Sequence, residues 1–210
     1  MNAYTSPILS FLMPTPSQFR QFSSLTLIAL TLMFSGCKML SPVKDTASYY
    51  TLTSLATSSA KSRSNLVIAI NRPYLPTYLD RQEHIVRAAS GQTLIDSNNI
   101  WSEPLDSGIA RVTAENLSIL LGSSNIQPIQ NFTTLDYSHL IDIKITRFEQ
   151  NDTGEMVLEC TWSAHVVKSK AAPTTRRFTT TVSPAIPAAN RVAAMNQALF
   201  QLAQQIQKAF

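Results

Sequence analysis

Two thiols and three imidazoles are the side chains of this 210-residue sequence whose types could support covalent or metal chemistry. Cys37 follows a run of apolar residues, whereas Cys160 lies in an alternating pattern that points it into a core. His84, His139 and His165 lie in separate segments and lack the spacing of metal ligands. We therefore expect no metal site, a buried and inert Cys160, and histidines at the surface or at a sheet edge.

The apolar run before Cys37 has the length of a signal peptide rather than of a membrane span. Leu25 to Phe34 is ten residues, and a helix of that length covers about half of a ~30 Å hydrocarbon core. Arg20 supplies a positive charge before the run. The segment that ends in Gly36 and Cys37 resembles the bacterial lipoprotein signal, although Phe34 stands where leucine is usual.

That resemblance implies cleavage before Cys37 and acylation of its thiol with diacylglycerol and fatty acyl chains, with no other cofactor. Each buried methylene contributes roughly 0.8 kcal/mol, and stable anchoring takes more than one chain. We expect a signal peptide at residues 1–36 (with Met13 as a candidate true start), a lipidated tether at 37–47 and one periplasmic domain at 48–210. A plain signal peptide, or a core segment with an incidental cysteine, is the alternative.

Composition favours a packed globular domain and argues against a nucleic-acid partner. Hydrophobic residues make up 44% of the chain and charged residues 14%, which is enough apolar surface for a core. The net charge is +4. Because Arg20 is the one charged residue before Cys37, the remainder carries +3. An excess this small and scattered does not indicate a nucleic-acid surface.

Apolar periodicity predicts an α/β fold: a single domain with a mixed, largely antiparallel sheet flanked by two main helices in a layered sandwich. Period-two alternation predicts a long hairpin, residues 139–150 and 155–167, joined by a turn at Asn151–Gly154. Helical spacing predicts helices at 103–121 and from Asn190 onward. The other expected strands are Ser48–Leu52, Leu66–Ile70, a weak hairpin around Ser90 and Gly91, Ile126–Ile129, and Arg176–Val182.

The first predicted helix carries a polar residue on its apolar face. We expect Ser102 to cap it, Pro104 to lie in its first turn and Gly122 to end it. Asn116 lies in the middle of that face, where it needs a hydrogen-bond partner or costs roughly 1–3 kcal/mol. Leu117 and its neighbour one turn later form a second patch, which could face the sheet or another subunit.

Three segments together carry a family resemblance. "SYYTL", "NNIWSEPLDSGIARVTAENLS" and "IDIKITRFEQNDTGEMVLECTWS" resemble, in order and spacing, the PqiC family, formerly YmbA, the auxiliary lipoproteins of ABC-type and MCE-protein lipid transport systems. The residues that fit the family pattern, as interface or structural positions, are Tyr49, Tyr50, Trp101, Pro104, Leu105, Asn116, Phe148, Gly154 and Trp162.

The resemblance implies a lipid-anchored protein of the bacterial outer membrane that faces the periplasm and is not an enzyme. It implies outer-membrane lipid as a partner, docking on an MCE-domain protein of the inner membrane, and assembly into a homo-oligomeric ring. Lys38, in place of the aspartate that typically retains lipoproteins in the inner membrane, favours the outer membrane. The alternative is a structural or assembly lipoprotein of the envelope without lipid cargo.

Aromatic residues leave a further choice open. Trp101, Tyr49 and Tyr50 could line a lipid path or an oligomer interface, or they could anchor an ordinary core. The C-terminal helix could bind a partner or cover the sheet. Phosphate-binding glycine loops, paired cysteines and nucleophile elbows are missing from the sequence, which disfavours the common enzyme classes.

Overall fold

Eight β-strands and two long helices account for most of the residues that the structure describes. The structure, a computed structural model, describes residues 46–57, 65–131 and 136–210. Cys37, the predicted signal peptide and most of the predicted tether lie outside these ranges. The strands are β1 (Ser48–Tyr50), β2 (Ile68–Ile70), β3 (Glu83–Arg87), β4 (Thr93–Trp101), β5 (Ile126–Pro128), β6 (His139–Asn151), β7 (Met156–Val166) and β8 (Thr175–Val182), and the helices are α1 (Leu105–Leu121) and α2 (Ala188–Gln207).

The long strand β6 organises the sheet. One of its edges pairs antiparallel with β7, which pairs in turn with β8. Its other edge is shared by β2 at one end and β3 at the other, with Tyr74 bridging Lys144 between them. The run β1-β4-β3-β6-β7-β8 therefore places β1 and β8 at opposite edges. With both parallel and antiparallel pairs and two helices, the predicted α/β fold is confirmed.

Alternation along β6 and β7 divides the sheet into an apolar face and a polar one. Ile141, Ile145 and Phe148 are fully buried, whereas Lys144 and Thr146 are exposed. A bulge between Ile145 and Arg147 inserts one residue, so Phe148 stays on the core face opposite Leu158. Cys160 lies in this core, where burial raises the pKa of its thiol to about 12, as expected for an inert packing residue.

Helix α1 differs from expectation at its start and agrees at its end. Pro104 occupies the N-cap position and no side chain caps the helix, so the expected Ser102 cap is wrong. Gly122 ends the helix with φ of 62°, a conformation that glycine adopts without strain. Leu117 and Leu121 are buried. The second apolar patch therefore packs inside the domain rather than facing another subunit.

Helix α2 covers the sheet, as its amphipathic spacing predicts. It packs against α1, β7 and β8. Its buried stripe contains Val192, Met195, Leu199, Leu202 and Ile206. Among the described residues, no helix is both long and apolar enough to cross a membrane.

The β6–β7 turn shows why its sequence needs glycine. Gly154 has φ of 80°, and a Cβ atom there would lie 2.8 Å from the Cδ1 atom of Ile186. Its backbone N–H donates to the carbonyl of Asn151 at 3.2 Å. The predicted hairpin turn is confirmed. Ile186 packs so closely against Gly154 that the turn has no room for a side chain at this position.

Candidate functional site

The segment that follows β1, residues 51–57, is held by hydrogen bonds to both helices, and we call it the strap. Asn116 on α1 is fully buried. Its Oδ1 accepts the backbone N–H groups of Leu55 and Ala56, each at 3.0 Å, and the hydroxyl of Ser54 at 2.9 Å. The hydrogen-bond partner expected for Asn116 is therefore the backbone of the strap.

The second helix holds the strap in the same way. Asn196 on α2 accepts the backbone N–H of Thr53 at 3.0 Å and donates its Nδ2 to Thr53 Oγ1 at 2.8 Å. Arg111 on α1 donates to the carbonyl of Leu52 at 2.8 Å, and the Leu52 side chain is buried. The first residues of the described domain are thus fixed to the helical layer at several points.

Behind β1 lies an aromatic stack centred on a histidine. The imidazole of His84 stacks on Trp101 with ring centroids 4.1 Å apart, and the Tyr50 ring lies 5.2 Å away. His84 is 1% exposed. The expectation of a surface or edge position is wrong for this histidine, because the aromatic rings of β1 and β4 cover it.

Arg191 on α2 contacts the histidine of this stack. Its Nε donates to Gln150 Oε1 at 2.9 Å, and its Nη1 donates to Asp96 Oδ2 at 3.0 Å and lies 3.2 Å from His84 Nδ1. Burial, reinforced by the Arg191 charge, lowers the pKa of His84 to about 4. The imidazole is therefore neutral at physiological pH and serves as a packing and hydrogen-bonding group.

A second buried charge lies on the polar face of β6. Glu149 Oε1 accepts Arg87 Nε at 2.7 Å and Arg147 Nε at 3.0 Å. Its Oε2 accepts the Tyr78 hydroxyl at 2.9 Å and the backbone N–H of Phe148 at 3.0 Å. Burial and the nearby carboxylate raise the pKa of Tyr78 to about 12. Both carboxylate oxygens are occupied, so this cluster ties strands together.

The β3–β4 hairpin carries exposed apolar side chains. Leu94 is 45% exposed and Ile95 is 51% exposed. Adjacent residues of a strand point to opposite faces, so both faces of this hairpin present apolar surface. β4 pairs with β1 through Asn99–Trp101, so in the described chain residues 93–98 have β3 as their strand neighbour. The hairpin therefore presents apolar side chains to solvent beside a stretch of β4 that has one strand neighbour in the described chain.

The structure brings together four of the nine residues that were singled out from the sequence. Tyr50 and Trp101 are register partners beside His84, where Trp101 is buried in the core and Tyr50 packs partly buried against it. Pro104 and buried Leu105 begin α1 next to them. The other five lie elsewhere: Tyr49, which is 61% exposed on β1, Asn116 at the strap, Phe148, which is buried on β6, Gly154 in the β6–β7 turn, and Trp162, which is buried on β7.

Sequence reasoning missed His84 and Arg191 as a buried pair. One signal was available: Arg191 is the sole charged residue of the twenty in α2. A single charge at the start of an otherwise uncharged amphipathic helix indicates a specific partner on another element. Within the described ranges, no three histidine, cysteine or carboxylate side chains lie close enough to hold a metal ion.

Comparison with solved structures identifies the fold in other proteins. The structure of protein XCC0632 from Xanthomonas campestris superposes with a TM-score of 0.65 at 18% identity, covering 77% of this chain and 93% of that one. The crystal structure of an uncharacterized protein gives a TM-score of 0.64 at 20% identity, covering 78% and 97%. At these identities the likeness concerns the fold alone. No curated protein matches the chain.

The family comparison covers the strap, the stack and both helices. Residues 50–207 match the family model described as the ABC-type transport auxiliary lipoprotein component. The match spans about three quarters of the chain and runs from Tyr50 to the last residue of α2. The chain therefore belongs to the family of ABC-type transport auxiliary lipoproteins.

Proposed function

We propose that this protein is an outer-membrane lipoprotein that assists an MCE-linked lipid transport system by docking on the inner-membrane MCE-domain protein. The observation that carries the proposal is the family match over residues 50–207. The three sequence segments that resemble the PqiC family support the narrower link to MCE proteins and to lipid.

In this proposal, the protein is anchored to the membrane through Cys37 and the strap. Acyl chains on Cys37 hold the chain at the bilayer, and Lys38 directs it to the outer membrane. The strap then transfers that attachment to the domain, because Asn116 and Asn196 bind it from two helices.

The working mode is docking rather than catalysis. The buried carboxylate of Glu149 is already occupied by four donors of the protein itself. The exposed side chains of Leu94 and Ile95 supply apolar surface for contact with the MCE partner. Assembly of several copies into a ring would repeat this surface around an opening and so form a collar for the partner.

Site-specific photo-crosslinking in intact cells tests the docking. A photoreactive amino acid at Ile95 should yield a crosslink to an MCE-domain protein, identified by mass spectrometry. The matched control is Thr179 on β8, which is also exposed but lies at the opposite edge of the sheet. Crosslinks to an MCE protein from Thr179 but not from Ile95, or from neither position, would contradict the proposed docking.

A further inference from the structure

A cleft at the β8 edge has no role in the function proposed above. It measures about 250 Å³ and lies between the β7–β8 loop and the end of the chain after α2. That volume is below the usual range for drug-sized ligands and fits a small polar group rather than an acyl chain. The lining residues that can take part in polar contacts are Trp162, His165, Ser169, Thr174 and Arg176.

Positive charge dominates this part of the chain. No aspartate or glutamate follows Glu159 in the sequence, whereas six lysines and arginines do. Arg191 is paired with Asp96. Arg176 lines the cleft and is exposed, and Lys168 and Lys170 are exposed in the neighbouring β7–β8 loop. No carboxylate side chain lines the cleft. A concave site with cations and no lining acid concentrates anions.

The donors at the cleft suit a phosphate group. Arg176 stacks over the Trp162 ring, its Cζ 5.3 Å from the ring centroid, and within the described ranges its guanidinium meets no carboxylate. Ser169 Oγ accepts the Ala171 N–H at 3.1 Å, which leaves the hydroxyl proton for a ligand. Trp162 Nε1 is buried and meets no acceptor in the described residues.

We propose that this cleft binds a phosphate group, with Arg176 as its principal donor. Arginine offers a planar fork that matches phosphate oxygens, and Ser169 and Thr174 add neutral donors. The inference rests on the proposed function in taking phospholipid headgroups as the expected source. Free phosphate has the same chemistry and is the other source to distinguish.

Register along β8 provides a matched control. Arg176 is opposite Trp162 and lines the cleft, whereas Arg177 is opposite Thr161 and points to the other face of the sheet. Each substitution, Arg176→Gln and Arg177→Gln, removes one positive charge from an exposed position of the same strand. Circular dichroism should show both variants folded like the wild type.

Calorimetry on the full chain in nonionic detergent micelles measures the binding. The ligands are glycerophosphoglycerol (the soluble headgroup of phosphatidylglycerol), inorganic phosphate and succinate. Because Arg176→Gln removes a charge-assisted hydrogen bond, its dissociation constant for phosphate should rise about tenfold or more. In Arg177→Gln the dissociation constant should change by less than about threefold. Tighter binding of glycerophosphoglycerol than of phosphate identifies a headgroup as the source, and the reverse order identifies free phosphate.

Three results would overturn the site: no binding of either phosphate ligand, equal weakening in both variants, or equal binding of succinate. Equal weakening would mean that net charge, not the cleft, attracts the ligand. These outcomes are separable from the proposed function. Phosphate binding without an MCE crosslink refutes the docking alone, and a crosslink without phosphate binding refutes the cleft alone.

Discussion

The two edges of the sheet are built in opposite ways. At the β1 edge, Trp101, His84 and Arg191 are buried and hydrogen-bonded, and the strap is fixed to two helices. At the β8 edge, the strand is largely exposed, and its two arginines meet no carboxylate in the described chain. One edge is therefore a packed and hydrogen-bonded layer, whereas the other presents its side chains to solvent.

An aromatic truncation at each edge gives the largest expected difference. Trp101→Ala removes a buried ring and should lower the free energy of unfolding by about 3–5 kcal/mol. Phe178→Ala, on partly buried β8, should cost about half as much because less of its surface leaves water. Urea unfolding followed by circular dichroism measures both. Equal losses would mean that the edges are equally packed.

Acid should weaken the β1 edge through His84. The pKa of His84 is about 4 in the folded protein, below its ordinary value of 6.5. Between these two pH values the unfolded chain is therefore protonated at His84 and the folded protein is not. Stability is full above about pH 6.5 and falls by up to about 3 kcal/mol as the pH drops to 4. His84→Phe keeps a ring between Tyr50 and Trp101 but should lack this component of the pH dependence. Identical pH profiles of wild type and variant would contradict the assignment.

The strap predicts a smaller effect. Asn116→Ala removes the acceptor of three hydrogen bonds and should lower the free energy of unfolding by about 2 kcal/mol. Thr179→Ala, exposed on β8, should change stability by less than about 0.5 kcal/mol. Equal losses in Asn116→Ala and Thr179→Ala, measured by thermal unfolding, would refute the acceptor role.

The periodicity of apolar residues predicted the fold, but it did not predict the polar clusters around Arg191 and Glu149. The alternating pattern of β7 predicted that Cys160 and Trp162 lie in the core. The apolar face of α1 predicted that Asn116 is buried and needs a hydrogen-bond partner. Both patterns lie within a single element and can therefore be recognised from the sequence. The His84–Arg191 contact joins residues 107 positions apart, and Glu149 gathers donors from three segments. Such pairings depend on which strands become neighbours, and β6 accepts both β2 and β3 along one edge in a way that no local pattern encodes.

The claim that this lipoprotein assists lipid transport is tested most directly by measuring phospholipid exchange between the membranes. In cells that lack the gene, pulse-labelled phospholipid should redistribute between the inner and outer membranes at an altered rate. The wild-type gene should restore the rate, and Cys37→Ser should not, because the unanchored domain would leave the bilayer. An unchanged rate in cells whose envelope nevertheless becomes sensitive to detergent would contradict the account and favour a structural lipoprotein without lipid cargo.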